Sequence, residues 1–257
     1  MQNQEKMAFR YKLVDIGVNL THHKFKKDVA SVISRALETG VEKMMILEPL
    51  RSPPFSQGMG QQIRRYISWP YFNRNFSTPE QQIHAFKQQI LLAKKTDKPM
   101  FCHERDAFDS MVELSTPHLG QLPPVVIHCF TGKAHQAEKY LQMGFYIGLT
   151  GYLWKDKRSD GVRHRLQREK LRLYRLLLET DGPFMFPNIQ AKKHHASVIE
   201  SLTQESCDIL KKYSNFQRTE PSAMCIINEL VAAFIGKEPK EVADKAFQNA
   251  VNIFNLR

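Results

Sequence analysis

The sequence predicts an α/β fold, a TIM-type β/α barrel, in one domain spanning residues 1–257. Short apolar runs alternate with longer amphipathic segments along the chain, as expected for strands alternating with helices. Repeated strand–helix units favour a parallel sheet, and 257 residues suit a barrel of typical size. An open doubly wound sheet is the second architecture. The chain has neither Gly-x-Gly-x-x-Gly after its first strand nor a Walker-type loop, which weakens that alternative.

The first part of the chain shows two strands and two helix starts. Residues 13–18 and 41–47 are apolar and predict buried strands. Residues 28–39 carry apolar side chains at helical spacing, and Gly40 marks the end of that helix. Thr78 followed by Pro79 predicts an N-cap and a first helical residue.

The second part is more regular. It predicts strands at residues 99–103, 125–128, 145–149 and 173–179, and helices at 107–114, 134–143, 162–170, 224–234 and 239–254. Six strands are recognisable in all, whereas a closed barrel of this type has eight. Two strands are therefore predicted to be missing between residues 49 and 70, a stretch rich in Pro, Gly, Ser and Gln. The barrel is predicted to be incomplete.

Composition narrows the class of protein. With 42% hydrophobic and 25% charged residues the chain is not broadly disordered. Its net charge of +11 favours polyanionic partners, with nucleic acid ahead of an anionic membrane. No stretch approaches the ~20 apolar residues of a membrane span. The cysteine spacing does not suggest a disulfide scaffold, and residues 1–11 are predicted to be a flexible extension without a secretory signal. We therefore expect an intracellular protein, cytoplasmic or nuclear.

Metal-compatible side chains stand on or after four predicted strands: Asp15, His103, His128 and Asp181. In a β/α barrel the carboxyl ends of the strands carry the chemistry. A single histidine at a strand end is most simply explained by a structural role. Two histidines at successive strand ends with an aspartate at a third favour a divalent metal site. Such a metal would lower the pKa of bound water and stabilise charge on a phosphoryl oxygen.

Cys102 and Cys129 flank the two histidines in sequence. Strand alternation predicts that both thiols point away from the mouth of the barrel and fill the core. A nucleophilic role is the less favoured interpretation, and no nucleophile-elbow sequence is present.

A basic run at residues 155–175 contains nine Lys or Arg and three acidic residues. It follows a predicted strand on the expected active-site side, with Tyr152 and Trp154 just before it. Aromatic rings beside cations suit single-stranded nucleic acid, in which bases stack and phosphates pair with the cations. A solvated helix face is the alternative interpretation of the run.

Seven motifs follow one another over nearly the whole chain: VDIGVNL (14–20), NRNFSTPEQ (73–81), CHERDA (102–107), IHCFTG (127–132), YIGLTG (146–151), LETDGP (178–183) and RTEP (218–221). Together they resemble the TatD family of metal-dependent deoxyribonucleases. The resemblance implies a β/α barrel that hydrolyses DNA phosphodiesters with a divalent metal. It places metal-binding positions at His103, His128 and Asp181. Mg²⁺ or Mn²⁺ is the expected ion, with Zn²⁺ as the alternative.

The chain departs from the family pattern in two places. Some members carry His-x-His on the first strand, where this chain has Gly17 and Asn19. The Gly-Glu-x-Gly-Leu-Asp motif, whose Glu binds metal, is absent before Asn73, since residues 68–72 contain no acidic side chain. A Gly-x-His-Pro-His motif is also absent. A block on the order of 40 residues is therefore predicted to be missing, and Glu48 is the nearest carboxylate that could substitute.

The main functional prediction is a metal-dependent deoxyribonuclease acting on DNA, preferably single-stranded, whose activity is reduced by the missing Glu. His103, His128 and Asp181 are the predicted catalytic and metal-binding residues, with Asp181 able to accept a proton. The predicted substrate-binding residues are Arg105, Tyr152, Trp154, Lys155 and Arg158. Three alternatives stay open: an inactive nucleic-acid-binding member, a metal-dependent hydrolase of amides or esters, and a truncated product with exposed sheet edges that folds poorly.

Overall fold

The computed structural model describes residues 11–47, 77–163, 166, 173–189 and 196–256. Within these ranges six strands alternate with helices. The strands are β1 (Leu13–Val18), β2 (Val41–Ile46), β3 (Met100–Cys102), β4 (Val125–Ile127), β5 (Tyr146–Leu149) and β6 (Leu176–Leu178). The α-helices are α1 (Val29–Glu38), α2 (Pro79–Thr96), α3 (Phe108–Ser115), α4 (Ala134–Gln142), α5 (Ala196–Glu200), α6 (Gln204–Tyr213), α7 (Met224–Ile235) and α8 (Pro239–Phe254).

All strand pairs are parallel. One sheet joins β1 to β2, and a second runs in the order β3-β4-β5-β6. The two sheets meet just beyond β1 and β6, where Val18 bridges Gly182 and the Asp181 amide donates to the Gly17 carbonyl at 2.8 Å. The order across the described strands is therefore β2-β1-β6-β5-β4-β3. In an eight-stranded barrel two more strands would stand between β2 and β3. The segment in question, 49–70, lies outside the described residues.

Side-chain alternation divides the core into two layers. Phe101, Val126 and Leu177, at the centres of β3, β4 and β6, belong to an inner cluster with Ile16. Their neighbours along each strand belong to the larger cluster between the sheet and the helices. Because alternate residues face opposite sides of a strand, the residues two positions beyond the central ones return to the inner side. This places His103, His128 and Glu179 at the upper end of the barrel interior.

Helix α8 closes the amino end of the strands. Its Phe254 belongs to the inner cluster, and the centroid of its ring lies 6.3 Å from that of the Phe101 ring. Asn249 of the same helix donates to the carbonyls of Leu173 and Leu176, both at 2.8 Å. The opposite end, where the strands terminate, is left as the place for a site.

The predicted capping of α2 is confirmed. The Thr78 hydroxyl accepts from the Gln81 backbone amide, and the Gln81 side chain accepts from the Thr78 backbone amide. The strand predicted at 173–179 is shorter, because Leu173–Arg175 forms a 3₁₀ turn. Helices α5 and α6 were not predicted.

Two predicted segments, the amino-terminal extension and the helix at 162–170, fall largely outside the described residues. Residues 1–10 lie outside the described residues, as does most of the predicted helix at 162–170. Tyr11 is buried, and its hydroxyl donates to Glu229 at 3.1 Å, so residue 11 is part of the fold and not of an extension. No helix in the described ranges has both the length and the apolar character to cross a bilayer.

A buried ion cluster joins α1 to the segment before α7. The Glu220 carboxylate is 2% exposed and receives Arg35 Nε at 2.8 Å and Nη2 at 2.9 Å. Arg218 also donates to Glu220, and it reaches Asp28 at 2.7 and 3.0 Å. Two guanidinium groups therefore share two carboxylates, and the more buried carboxylate is that of Glu220.

We predict that Glu220→Ala lowers the free energy of unfolding by about 3 kcal/mol, because it leaves two partly buried guanidinium groups with one carboxylate. The matched control is Asp244→Ala, which breaks the exposed Lys240–Asp244 pair within one helix and should cost no more than about 0.5 kcal/mol. Urea denaturation of both variants measures the difference. Equal losses would contradict the importance of this cluster.

Candidate metal centre and active-site mouth

Three predicted site residues come together at the carboxyl ends of β3, β4 and β6. His128 Nε2 lies 3.6 Å from Asp181 Oδ1. The His103 ring lies beside the His128 ring, with 5.2 Å between their centroids. His128 is 3% exposed and Asp181 9% exposed, whereas His103 is half-buried and nearer to solvent. The sequence-based prediction of a shared location for these three side chains is met.

Glu179 is a residue of this candidate site that sequence analysis did not single out. Its side chain is fully buried, and Oε2 pairs with His128 Nδ1 in a short hydrogen bond. Oε1 accepts from the backbone amide of Cys129 at 2.6 Å. A carboxylate on Nδ1 fixes the orientation of an imidazole and directs Nε2 outward, the arrangement common behind metal-bound histidines. The signal was the Glu-x-Asp spacing, which puts both carboxylates on the inner side after β6.

Two glycines make room for the Glu179 carboxylate. A Cβ on Gly17 would lie 2.1 Å from Glu179 Oε2, and a Cβ on Gly148 would lie 2.0 Å from Oε1. No side chain fits at either position while Glu179 stays in place. Gly17 occupies a position where some relatives were expected to have histidine. In this chain the absence of a side chain at residue 17 leaves the space that the Glu179 carboxylate occupies.

Asp15 joins β1 to the end of β6, and both of its carboxylate oxygens accept hydrogen bonds. Its Oδ1 accepts from the amides of Thr180 at 3.0 Å and Gly17 at 3.2 Å, and Oδ2 accepts from the Thr180 hydroxyl. Burial raises the pKa of Asp15 to about 7, although these hydrogen bonds oppose the shift. Asp15 thus fixes the backbone that carries Asp181.

The charges around His128 favour a cation at the mouth. Burial lowers the pKa of His128, but Glu179, Asp181 and Asp15 outweigh that effect and raise it to about 9. Burial raises the pKa of Asp181 to about 6, while the neighbouring His128 lowers it. Three carboxylates thus surround one imidazole in a poorly solvated space, where opposite charge is strongly attracted.

His128 and Asp181 fit a divalent ion as a pair of donors. Metal bonds of roughly 2.0–2.2 Å place two ligand atoms on one ion roughly 3–4 Å apart, and the 3.6 Å between His128 Nε2 and Asp181 Oδ1 falls in that range. Among the described residues no three His, Cys, Asp or Glu side chains are already gathered around one point. The His103 ring lies next to that of His128, with 5.2 Å between the centroids, and Glu48 lies outside the described residues.

The prediction that both cysteines point away from the mouth is half wrong. Cys102 is buried in the outer core layer, as expected. Cys129 has a φ of 45°, which breaks strand alternation directly after His128 and turns its thiol to a hydrogen bond with Asp181. Burial, with Asp181 and Glu179 nearby, raises the pKa of the Cys129 thiol well above its usual range. The thiol therefore stays protonated and is a poor nucleophile.

A cleft of about 300 Å³ lies among the loops that follow β3, β4, β5 and β6, and its lining does not include His103, His128 or Asp181. Of the predicted substrate-binding residues, Arg105, Tyr152 and Arg158 line it. Arg105 is exposed two residues beyond His103 and can reach a phosphate. Arg158 is exposed, but its guanidinium is already hydrogen bonded within the protein, since Nε donates to Asp156 at 2.8 Å and Nη2 to the Thr131 carbonyl at 2.7 Å.

The structure corrects the predicted role of Trp154. The ring is 2% exposed and belongs to the core, so it has no face to offer a substrate. Lys155 is exposed, and its Nζ lies 5.0 Å from the centroid of the Phe216 ring.

The basic run does not all face the mouth. Arg175 precedes β6, at the amino end of the strands, and packs over the Tyr146 ring at 4.5 Å. Lys155 and Arg158 follow β5, at the carboxyl end. Residues 167–172 lie outside the described residues.

A family model described as TatD related DNase matches residues 67–255. This chain belongs to the TatD-related DNase family. The "3'-5' ssDNA/RNA exonuclease TatD" of Yersinia pseudotuberculosis is 30% identical over 95% of this chain and 100% of that protein. The protein of the same name from Citrobacter rodentium is 29% identical over 95% of this chain and 98% of its own. The resemblance found from the seven motifs is therefore confirmed.

Solved structures confirm the predicted TIM-type fold of this TatD-family chain. A TatD family hydrolase from Entamoeba histolytica superposes with a TM-score of 0.75 at 19% identity, over 97% of this chain and 100% of that one. A TatD homologue from Escherichia coli superposes with a TM-score of 0.68 at 18% identity, over 95% and 98%. At such identities the likeness concerns the fold alone.

The alignment with the Yersinia relative also bears on the predicted missing block. It extends over 281 positions, more than the 257 residues of this chain, and takes in 95% of them. The relative therefore has residues that find no counterpart in this TatD-family chain. This agrees with the loss expected from the absent Gly-Glu-x-Gly-Leu-Asp motif.

We predict that Gly17→Ala lowers the free energy of unfolding by about 3 kcal/mol, since the added Cβ overlaps the Glu179 carboxylate. The matched test is the same substitution in a Glu179→Ala background, where the overlap is gone and the added penalty should largely vanish. Urea denaturation of the four proteins in this cycle measures the coupling. Additive losses would contradict the steric account.

Proposed function

We propose that this protein is a divalent-metal-dependent nuclease that hydrolyses phosphodiester bonds in single-stranded nucleic acid. The observation that carries the proposal is the His128–Asp181 donor pair, 3.6 Å apart and backed by Glu179. The exposed Arg105 beside it supplies a charge for the phosphate. The names of the relatives extend the proposal to cleavage from the 3′ end and to RNA as well as DNA.

In this proposal His128 and Asp181 hold the metal, with His103 as the third donor. A bound divalent ion supplies an activated water and stabilises charge on the phosphoryl oxygen; Mg²⁺ and Mn²⁺ are the favoured ions, with Zn²⁺ as the alternative. Glu179 accepts the proton on His128 Nδ1, so the proton that a metal would displace is the one on Nε2. The Asp181 carboxylate, 9% exposed and 3.6 Å from His128 Nε2, is placed to accept a proton.

Arg105 has a separate task in the proposal. It lines the cleft next to His103, where its guanidinium can bind a non-bridging phosphate oxygen and orient the diester. Tyr152, half-buried in the same cleft, supplies an aromatic wall. Both residues would bind substrate without taking part in proton transfer.

The inactive nucleic-acid-binding alternative rests on the missing Glu motif and on Gly17. The intact Glu179–His128–Asp181 arrangement favours the enzyme, with weaker metal binding than a member that has the full motif. A metal-dependent hydrolase of amides or esters is disfavoured by the nuclease relatives. A reducing location inside the cell fits the four free cysteines, three of them buried.

We predict that His128→Ala and Asp181→Asn each reduce cleavage of a fluorescent single-stranded oligonucleotide at least about 100-fold, because each removes a donor to the metal. His118→Ala is the matched control, since His118 lies before β4 at the opposite end of the strands. Gel-resolved cleavage rates in Mg²⁺ and in Mn²⁺ give the measurement. Cleavage that persists in chelator, or in both variants, would contradict the proposal.

We predict that Arg105→Ala raises KM for the oligonucleotide by about 10- to 150-fold, since one charge-assisted phosphate contact is worth on the order of 1.5–3 kcal/mol. The metal concentration for half-maximal activity should stay unchanged, because Arg105 does not hold the metal. Steady-state kinetics over substrate and metal concentration separate the two effects. An unchanged KM would remove Arg105 from the substrate site.

A further inference from the structure

We infer that Phe184 and Phe216 present their rings at the active-site mouth as stacking surfaces for the bases of a single-stranded nucleic acid. The inference rests on the proposed nuclease function and adds to it the residues that distinguish an unpaired strand from a duplex. Neither ring was singled out from the sequence. Both belong to loops that gather at the carboxyl end of the strands.

Phe216 is 71% exposed and is held at the tip of a tight turn. Asn215 and Arg218 exchange backbone hydrogen bonds at 2.9 and 3.0 Å across that turn. Asn215 Oδ1 also accepts from the amides of Gln217 and Arg218, at 2.9 and 3.1 Å. An apolar ring fixed in solvent by its own turn has little freedom to lose when it binds.

The turn is fastened to the loop that follows β1. Lys24 Nζ donates to the Gln217 carbonyl, and Arg218 Nη1 donates to the Lys24 carbonyl at 3.1 Å. The Arg218 guanidinium also packs over the buried Phe25 ring at 5.2 Å. Phe216 therefore lies beside the loop that follows β1, and these contacts hold its turn in place.

A cation accompanies the Phe216 ring. Lys155, in the loop after β5, places Nζ 5.0 Å from the ring centroid and is itself exposed. A base stacked on the ring would bring its phosphate within reach of this ammonium group. Such a pairing of aromatic face and cation is the usual way of binding single strands without sequence preference.

Phe184 lies nearer to the proposed metal centre. It follows Asp181 by three residues, its amide donates to the Asp181 carbonyl at 2.8 Å, and its side chain is 48% exposed. The His22 ring meets it edge-on, with centroids 5.5 Å apart. The amide of Thr219 donates to the Pro183 carbonyl at 3.0 Å and so links this loop to the Phe216 turn.

Charge around the two rings favours nucleic acid over an apolar protein partner. The loop after β1 carries Lys24, Lys26 and Lys27, and Lys155 and Arg105 stand on neighbouring loops. Glu179 and Asp181 are turned inward onto His128, whereas Glu104 and Asp106 line the cleft beside Arg105. Near the two rings themselves the exposed charges named above are basic. In a duplex the base faces are covered by their neighbours, so these rings can accept only unpaired bases.

The test compares Phe184→Ala and Phe216→Ala with Tyr174→Ala, a 46% exposed aromatic at the amino end of the strands. Each Phe variant should weaken binding of fluorescein-labelled oligothymidine in EDTA, and raise KM for its cleavage in Mg²⁺, by roughly 5- to 100-fold. Tyr174→Ala should match the wild type. Binding of an abasic oligomer of equal length should change less than about twofold in every variant, since it offers phosphates without bases.

The outcomes separate the two proposals. If the wild type binds or cleaves oligothymidine while the Phe variants behave like Tyr174→Ala, the stacking role is overturned and the nuclease proposal stands. Equal loss on the abasic oligomer also overturns it, because the rings would then act on the backbone or the fold. If the wild type neither binds nor cleaves, the nuclease proposal fails and the stacking role fails with it.

Discussion

The site depends on one buried carboxylate. Glu179 receives His128 Nδ1 on one oxygen and the Cys129 amide on the other, so it fixes a side chain and the backbone that follows it. A buried carboxylate is stable only when its oxygens are satisfied, and Gly17 and Gly148 give it the space to reach both partners. The direction of His128 Nε2, and with it the separation from Asp181, follows from this contact.

The barrel positions that carboxylate through strand alternation. The centres of β3, β4 and β6 face inward, and two residues later His103, His128 and Glu179 emerge at the top of the interior. The ladder ends with positive φ at Cys129 and at Asp181, 45° and 48°, conformations that cost energy and concentrate at functional sites. Here they turn a thiol and a carboxylate toward each other instead of toward opposite faces.

Periodicity in the sequence was enough to predict the six described strands and the end at which the site lies, because buried strands and capped helices depend on local pattern. It also predicted His103, His128 and Asp181, since residue type and strand position carry that information. The position of Glu179, the burial of Trp154 and the hydrogen bond of Arg158 to Thr131 depend on contacts between distant segments, which no local pattern encodes. The turn of Cys129 was missed because alternation assumes a regular backbone.

The most direct test of this account is the affinity for Mn²⁺, followed by electron paramagnetic resonance as the free ion is taken up. Glu179→Gln keeps the size of the side chain but removes the charge behind His128, and we expect it to bind Mn²⁺ about 10- to 100-fold more weakly than the wild type. The control is Glu104→Gln, because Glu104 is a half-buried carboxylate whose partners are the Ala107 amide and the Tyr140 hydroxyl; this variant should bind like the wild type. Equal affinity in Glu179→Gln and the wild type would contradict the claim that Glu179 organises the metal centre.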